Sequence, residues 1–212
     1  MSDSSNFKDK SKKTLDILEQ ACQSGNIQVV KTIFCTSAYT FTVFNLNKYV
    51  DIACASEQLE IAKFMIERGA DLNAGLESAC REGCTELAEY MVRHGARTFD
   101  MGLRGACLGG NIELATWMIS MGANNWEDSL CRACLGGNID VVALILYHGR
   151  EVITKWNAPF QYACRRGNID IVNLILTESK FKVCIESAYT FAVENDTELA
   201  LVLKPLIKNY RE

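Results

Sequence analysis

Between Glu113 and Met121 the apolar residues Leu114, Ala115, Trp117, Met118 and Ile119 cover one broad helical face, with polar residues opposite. A second helical stretch precedes them, from about Asp100 to Gly109, and Gly110-Asn111 separates the two. The pattern predicts two antiparallel helices joined by a tight turn. Gly110 falls where a helix end needs a left-handed residue, a conformation glycine adopts without a Cβ clash. Asn111-Ile112 is expected to make the turn and drop an apolar side chain into the core. Gly122 should stop the second helix, and Gly69, Gly95 and Gly149 should do the same elsewhere. Arg68, Arg93-His94 and His148 precede three of these stops, as suits the negative end of a helix dipole.

The unit recurs. Ala-Cys, two variable residues and Gly-Asn or a near equivalent begin at Ala21, Ala53, Ala79, Ala106, Ala133 and Ala163, spaced 32, 26, 27, 27 and 30 residues apart. One helix pair cannot bury its own apolar faces, whereas a stack can, so the period predicts an all-α solenoid of about seven helix-turn-helix repeats. Residues 1–12 read as a solvated, flexible tail, and 13–212 as a single repeat domain. Its units lie near 14–47, 48–73, 74–98, 99–125, 126–155 and 156–180, with a C-terminal cap at 181–212. Residues 35–44 form a longer connector, expected to be partly extended. The cap pairs helices near 185–194 and 197–208, replaces Gly-Asn with Glu194-Asn195-Asp196, and carries Pro205, which should kink or end its last helix.

Gly69-Ala70-Asp71-Leu72-Asn73 closely resembles the Gly-Ala-Asp-x-Asn ending of ankyrin repeats, and Gly95-Ala96 and Gly122-Ala123-Asn124 resemble it in part. Ala158-Pro159-Phe160-Gln161-Tyr162-Ala163 echoes the Thr-Pro-Leu-His signature of that family. The central units are about six residues shorter than the family's period of about 33. The missing residues fall where the family projects a β-hairpin finger. The resemblance therefore implies an ankyrin-type solenoid with shortened fingers, reduced to tight turns such as 123–128. Such short units are similar to repeats abundant in large DNA viruses of amoebae, which implies an adaptor acting on a host protein.

Charge and cysteine usage narrow the chemistry. A net charge of −4 offers no basic field for nucleic acid. No apolar run approaches the roughly 18 residues that span a bilayer, and the N-terminus lacks the apolar core of a signal peptide. Cys22, Cys54, Cys80, Cys107, Cys134 and Cys164, six of ten cysteines, hold one slot of successive repeats. Stacked helices sit roughly 8–10 Å apart, beyond the Cα separation of about 7 Å that a disulfide allows. The ladder reads as packed, reduced thiols in a cytoplasmic setting, in the host cytosol for a viral protein.

Other candidates reduce to structure. Cys131 and Cys134 form one Cys-x-x-Cys pair without a second, and zinc needs four ligands. Cys80 and Cys84 are separated by a helix break at Gly83. His94 and His148 fit helix ends. Gly109-Gly110-Asn111 and Gly136-Gly137-Asn138 lack a phosphate loop's Lys and preceding strand. Glu60, Glu86, Glu113, Asp140 and Asp170 share the first turn of the second helix, where a carboxylate complements the dipole.

What the repeat leaves over is the variable pair between Cys and Gly, which the family resemblance places on the concave groove. Arg81-Glu82, Leu108-Gly109, Leu135-Gly136 and Arg165-Arg166 make an apolar centre between charged flanks. Trp126 and Trp156, expected in the connectors, extend that stripe as aromatic anchors. The resulting expectation is a non-enzymatic, monomeric scaffold without cofactor, metal, nucleic acid or membrane. It binds a partner protein through Arg81, Glu82, Leu108, Leu135, Arg165, Arg166, Trp126 and Trp156. The rival readings are a cysteine-dependent metal-binding or enzymatic protein, and a self-assembling repeat protein.

Overall fold

A computed structural model describes residues 3–36, 43–180, 183–195 and 197–210. Among them lie fourteen α-helices and no strand. The first helices of the pairs are α1 (Asp3–Ser24), α3 (Val43–Ala55), α5 (Leu72–Glu82), α7 (Phe99–Gly109), α9 (Trp126–Gly136), α11 (Asn157–Arg166) and α13 (Ile185–Asn195). The second helices are α2 (Ile27–Thr36), α4 (Leu59–Glu67), α6 (Thr85–Arg93), α8 (Ile112–Ser120), α10 (Ile139–Gly149), α12 (Ile169–Glu178) and α14 (Thr197–Tyr210). Each first helix packs on its own second helix and on the first helices of the flanking pairs, so that two layers enclose one continuous core. The Ala-Cys anchors from Ala21-Cys22 to Ala163-Cys164 are all buried in it.

The turn is built as its residues require. Gly110 takes φ +76°, Gly137 +84° and Gly167 +67°, and the turn folds back on the anchor alanine: Asn111 and Asn168 N–H donate to the Ala106 and Ala163 carbonyls (2.9 and 3.3 Å) and Gly137 N–H to that of Ala133 (2.9 Å). In the second repeat Glu57 occupies this slot, at φ +58°, which is strained for a residue with a Cβ.

Glycine has a second use in the first-helix layer. A methyl group on Gly105 would strike the Glu77 carbonyl, one on Gly109 the Arg81 carbonyl, and one on Gly136 the Leu108 carbonyl. The spacing Gly105-x-x-x-Gly109 puts both on one face of α7, so that α5 and α7 meet backbone to backbone. Gly109 and Gly136, expected as part of the groove lining, are contact points between helices.

Two ladders of side-chain-to-backbone hydrogen bonds run between repeats. Asn111 Nδ2 donates to the Cys80 and Arg81 carbonyls (both 2.9 Å), Asn138 Nδ2 to the Gly110 carbonyl (3.2 Å) and Asn168 Nδ2 to the Gly137 carbonyl (3.1 Å). Asn138 and Asn168 also cap the helices they begin, Asn138 Oδ1 accepting from the Asp140 and Val141 N–H groups. At the other end of the repeats, Asn73 Oδ1 accepts from Arg97 and Thr98 N–H (3.0 and 3.2 Å) and Asp100 Oδ1 from Asn124 and Asn125 N–H (2.8 and 3.2 Å). Glu127 Oε1 accepts from Thr154 and Lys155 N–H, and Asn157 Oδ1 from Cys184 N–H. These acceptors satisfy the short turns that stand in place of fingers, each bond contributing on the order of 1 kcal/mol.

Several expectations are corrected. Residues 3–12 are helical, continuing α1, because no proline or glycine interrupts the chain before Gly25. Ile112 is 41% exposed, because it opens α8 on the solvent side and leaves the core to Leu114, Ala115 and Met118. Gly149 is the last residue of α10 but is not a left-handed stop like Gly69, Gly95 and Gly122; a Cβ there would sit 2.6 Å from that of Trp126. The turn after Gly122 ends at Asn125, since Trp126 opens α9. Pro205 lies within α14, which runs on to Tyr210; the carbonyl it leaves unbonded belongs to Leu201, an exposed residue. Of the connector 35–44, residues 35–36 are in α2 and 43–44 in α3, and 37–42 lie outside the described residues.

Glycine-to-alanine replacement stabilises an ordinary helix interior by up to about 1 kcal/mol. At Gly105 the sign should reverse, with a loss of about 1–3 kcal/mol from forcing α5 and α7 apart. Glu57→Gly should stabilise by about 1 kcal/mol by removing the left-handed strain. Urea unfolding of both variants checks the pair of signs.

Candidate functional site

The C-terminal ends of α5, α7, α9 and α11 lie side by side and bring most of the sequence-selected residues into one row. Arg81 is half-buried, with Nε donating to Glu82 Oε1 at 2.9 Å, and Glu82 is exposed. Leu108 and Leu135 are both half-buried. Arg165 and Arg166 are exposed, and Arg166 Nη2 donates to the Gly136 carbonyl at 3.2 Å. The row is continuous through the backbone: the Arg81 carbonyl faces Gly109, the Leu108 carbonyl faces Gly136, and the Gly136 carbonyl meets Arg166. It presents two partly exposed leucines between an Arg-Glu pair and an Arg-Arg pair.

The tryptophans do not join it. Trp156 is buried, at 9% exposure, and holds the N-terminal cap position of α11. Trp126 is half-buried under Gly149, with its indole stacked on His148 at 5.8 Å and 9° between planes. Trp126 thus packs α9 against α10 within the fifth pair, and Trp156 lies in the core. His148 is thereby accounted for, and His94 is as well: it stacks on Tyr90 and places Nδ1 2.7 Å from the Tyr90 carbonyl.

A charged row escaped the sequence reading. On α7, Arg104 makes a forked contact with Glu77 of α5, at 2.8 and 2.9 Å through Nη2 and 3.1 Å through Nε, and reaches Asp128 of α9 at 3.5 Å. Asp128 also pairs with Arg132 at 3.8 Å. The Glu77 carboxylate, and Asp128 beyond it, raise the Arg104 guanidinium above its ordinary pKa. Repeat alignment carried a signal, because Glu77 and Arg104 each stand two residues before the anchor alanine. Their pairing became visible only once α5 and α7 were adjacent.

The ladder cysteines behave as packed groups. Burial pushes the Cys80 and Cys107 thiols up to about 12, which keeps them protonated and unreactive. Cys131 is half-buried and Cys134 buried, and no group of three or more His, Cys, Asp or Glu able to hold a metal occurs among the described residues. Among the same residues, no helix is long and apolar enough to cross a membrane.

Paired helices joined by left-handed glycine turns define a stacked-repeat protein. Residues 103–187 match the family model for ankyrin repeats, in three copies, and the flanking helix pairs continue the same paired arrangement. A search of curated proteins finds no match. Ankyrin repeats are in general protein–protein interaction modules, and their proteins are typically binding scaffolds without chemistry of their own.

The turn ladder gives a pH dependence. The Lys155 ammonium, together with the Thr154 N–H and hydroxyl, lowers the Glu127 carboxyl from an ordinary 4.5 to about 2. A carboxylate depressed in the folded state stabilises above its unfolded pKa and loses that contribution as pH falls through the folded value. Glu127→Gln should therefore differ most from the parent above about pH 4.5 and converge with it toward pH 2. Paired urea titrations across that window check it; a difference independent of pH would remove the ion pair from the account.

Proposed function

We propose that this chain is a non-enzymatic adaptor that binds a partner protein through the exposed face of its first helices, the concave side of the solenoid. The contact is centred on Leu108 and Leu135 and flanked by Arg81, Glu82, Arg165 and Arg166. The observation that carries the reading is the mounting of those residues. They stand on helices packed through glycine contacts and asparagine bonds, so little conformational freedom is lost when a partner docks. Two leucines half-open to water inside a charged rim have the layout of an interface core. Arg104, fixed between Glu77 and Asp128, borders that surface as a preorganised cation. The adaptor works as a monomer in the cytosol, and the short repeats, similar to those of large amoebal DNA viruses, suit action on a host protein.

The test is the double replacement Leu108→Glu/Leu135→Glu, with circular dichroism to verify folding and a partner captured by the parent protein as ligand. Affinity should fall at least tenfold, corresponding to about 1.4 kcal/mol or more. Replacement of exposed Tyr147, on second helix α10, should leave it unchanged. Unchanged binding by the double variant, with loss on replacing Tyr147, would move the interface to the second-helix side.

A further inference from the structure

Cys84 stands at the turn position held by Asn111, Asn138 and Asn168 in later repeats. It starts α6 without the side-chain cap that Asn138 and Asn168 supply to their helices. It retains only the contact to the preceding repeat: its thiol donates to the Cys54 carbonyl at 3.4 Å. Both residues line an open cavity of about 230 Å³ between the turns of the second and third repeats, with Glu57, Glu82 and Glu86 around it.

We propose that Cys54 and Cys84 form a reversible disulfide between repeats, with Cys84 reacting first with a small neutral hydroperoxide and Cys54 resolving the product. This goes beyond the binding function and does not depend on it. The division of labour follows from position. Cys84 is half-buried, lines the cavity and sits at the positive end of the nine-residue α6, where a thiolate is favoured. Its thiol is already turned toward the second repeat, 3.4 Å from the Cys54 carbonyl. Cys54 is buried, which raises its pKa, so it stays a thiol until Cys84 has been oxidised. The carboxylates around the cavity disfavour anionic oxidants such as glutathione disulfide and admit a neutral peroxide.

The chemistry balances. The Cys84 thiolate attacks the terminal peroxide oxygen, the O–O bond breaks, and the departing hydroxide (alkoxide for an organic hydroperoxide) takes a proton as water (or alcohol), leaving a sulfenic acid. The Cys54 sulfur then attacks the Cys84 sulfur, forming S–S and breaking S–O, and the second hydroxide leaves with the Cys54 proton as water. Two thiols lose two electrons and two protons, and the peroxide is reduced. The bond closes the loop between residues 54 and 84 and ties the second repeat to the third.

The experiment uses the full chain with the two exposed cysteines replaced, Cys35→Ser/Cys184→Ser. The protein is treated with near-stoichiometric hydrogen peroxide, alkylated with N-ethylmaleimide and mapped by peptide mass spectrometry. The expected product is a Cys54–Cys84 linked peptide pair, reversed by dithiothreitol, with a Tm several degrees above the reduced form. Glutathione disulfide at equal concentration should form it at least tenfold more slowly. Adding Cys54→Ala, or Cys54→Ser if the alanine variant does not fold, should stop the reaction at a Cys84 sulfenic acid trapped by dimedone. The proposal is overturned if Cys84 stays fully alkylatable after peroxide treatment of the folded chain, or if Cys84 links to Cys80 instead.

Discussion

Each repeat leaves polar turn groups and an apolar face that only its neighbour can complete, and everything else in this molecule is arranged around the close approach this demands. The first helices come together because their contact surfaces are stripped down to alanine, cysteine and glycine. At Gly105, Gly109 and Gly136 even a methyl group would strike a carbonyl of the preceding helix. That proximity lets a side chain as short as asparagine span two repeats, as Asn111 does to the Cys80 and Arg81 carbonyls. Larger residues at the contact would separate the helices and break the asparagine ladder with them.

The same constraint explains how a unit of about 27 residues dispenses with a projecting finger. A finger satisfies its backbone groups by pairing with itself and its neighbours. Here the turns are too short to pair, and Asn73, Asp100, Glu127 and Asn157 reach from the first helices to accept their N–H groups. The turns thereby become part of the frame. On the outward side of the first helices the leucine row and the Glu77–Arg104–Asp128 row run next to one another. Departures from the ladder mark the second and third repeats: Glu57 replaces a turn glycine and Cys84 replaces a ladder asparagine, and both line one cavity. Local irregularity in an otherwise regular stack is where chemistry beyond packing has room to occur.

Much of the fold was legible in the chain. The Ala-Cys anchors, the period and the glycine turns were readable because each is a local signal repeated in register, and repetition separates signal from chance. The candidate row was legible in part, since Leu108, Leu135 and the arginine pairs are what remains after the structural residues are assigned. Trp156 was misread because residue type alone does not distinguish an aromatic anchor for a partner from one for the next repeat. Arg104 was missed because its meaning lies in Glu77, 27 residues earlier.

The sequence by itself determined the class of architecture, the repeat number and the left-handed turns, because helix periodicity and glycine's backbone freedom act within a few residues. Tertiary structure alone decided which glycines are turns and which are contacts. Gly110 and Gly109 are neighbours in the chain, yet one is set by its φ of +76° and the other by a carbonyl of another helix. It also decided that Gly149 makes room for Trp126, that Trp156 is buried, and that Cys84 meets Cys54. These outcomes depend on residues distant in the chain: Gly149 meets Trp126 when α10 folds back on α9, and Cys84 meets Cys54 only when one repeat stacks on the next.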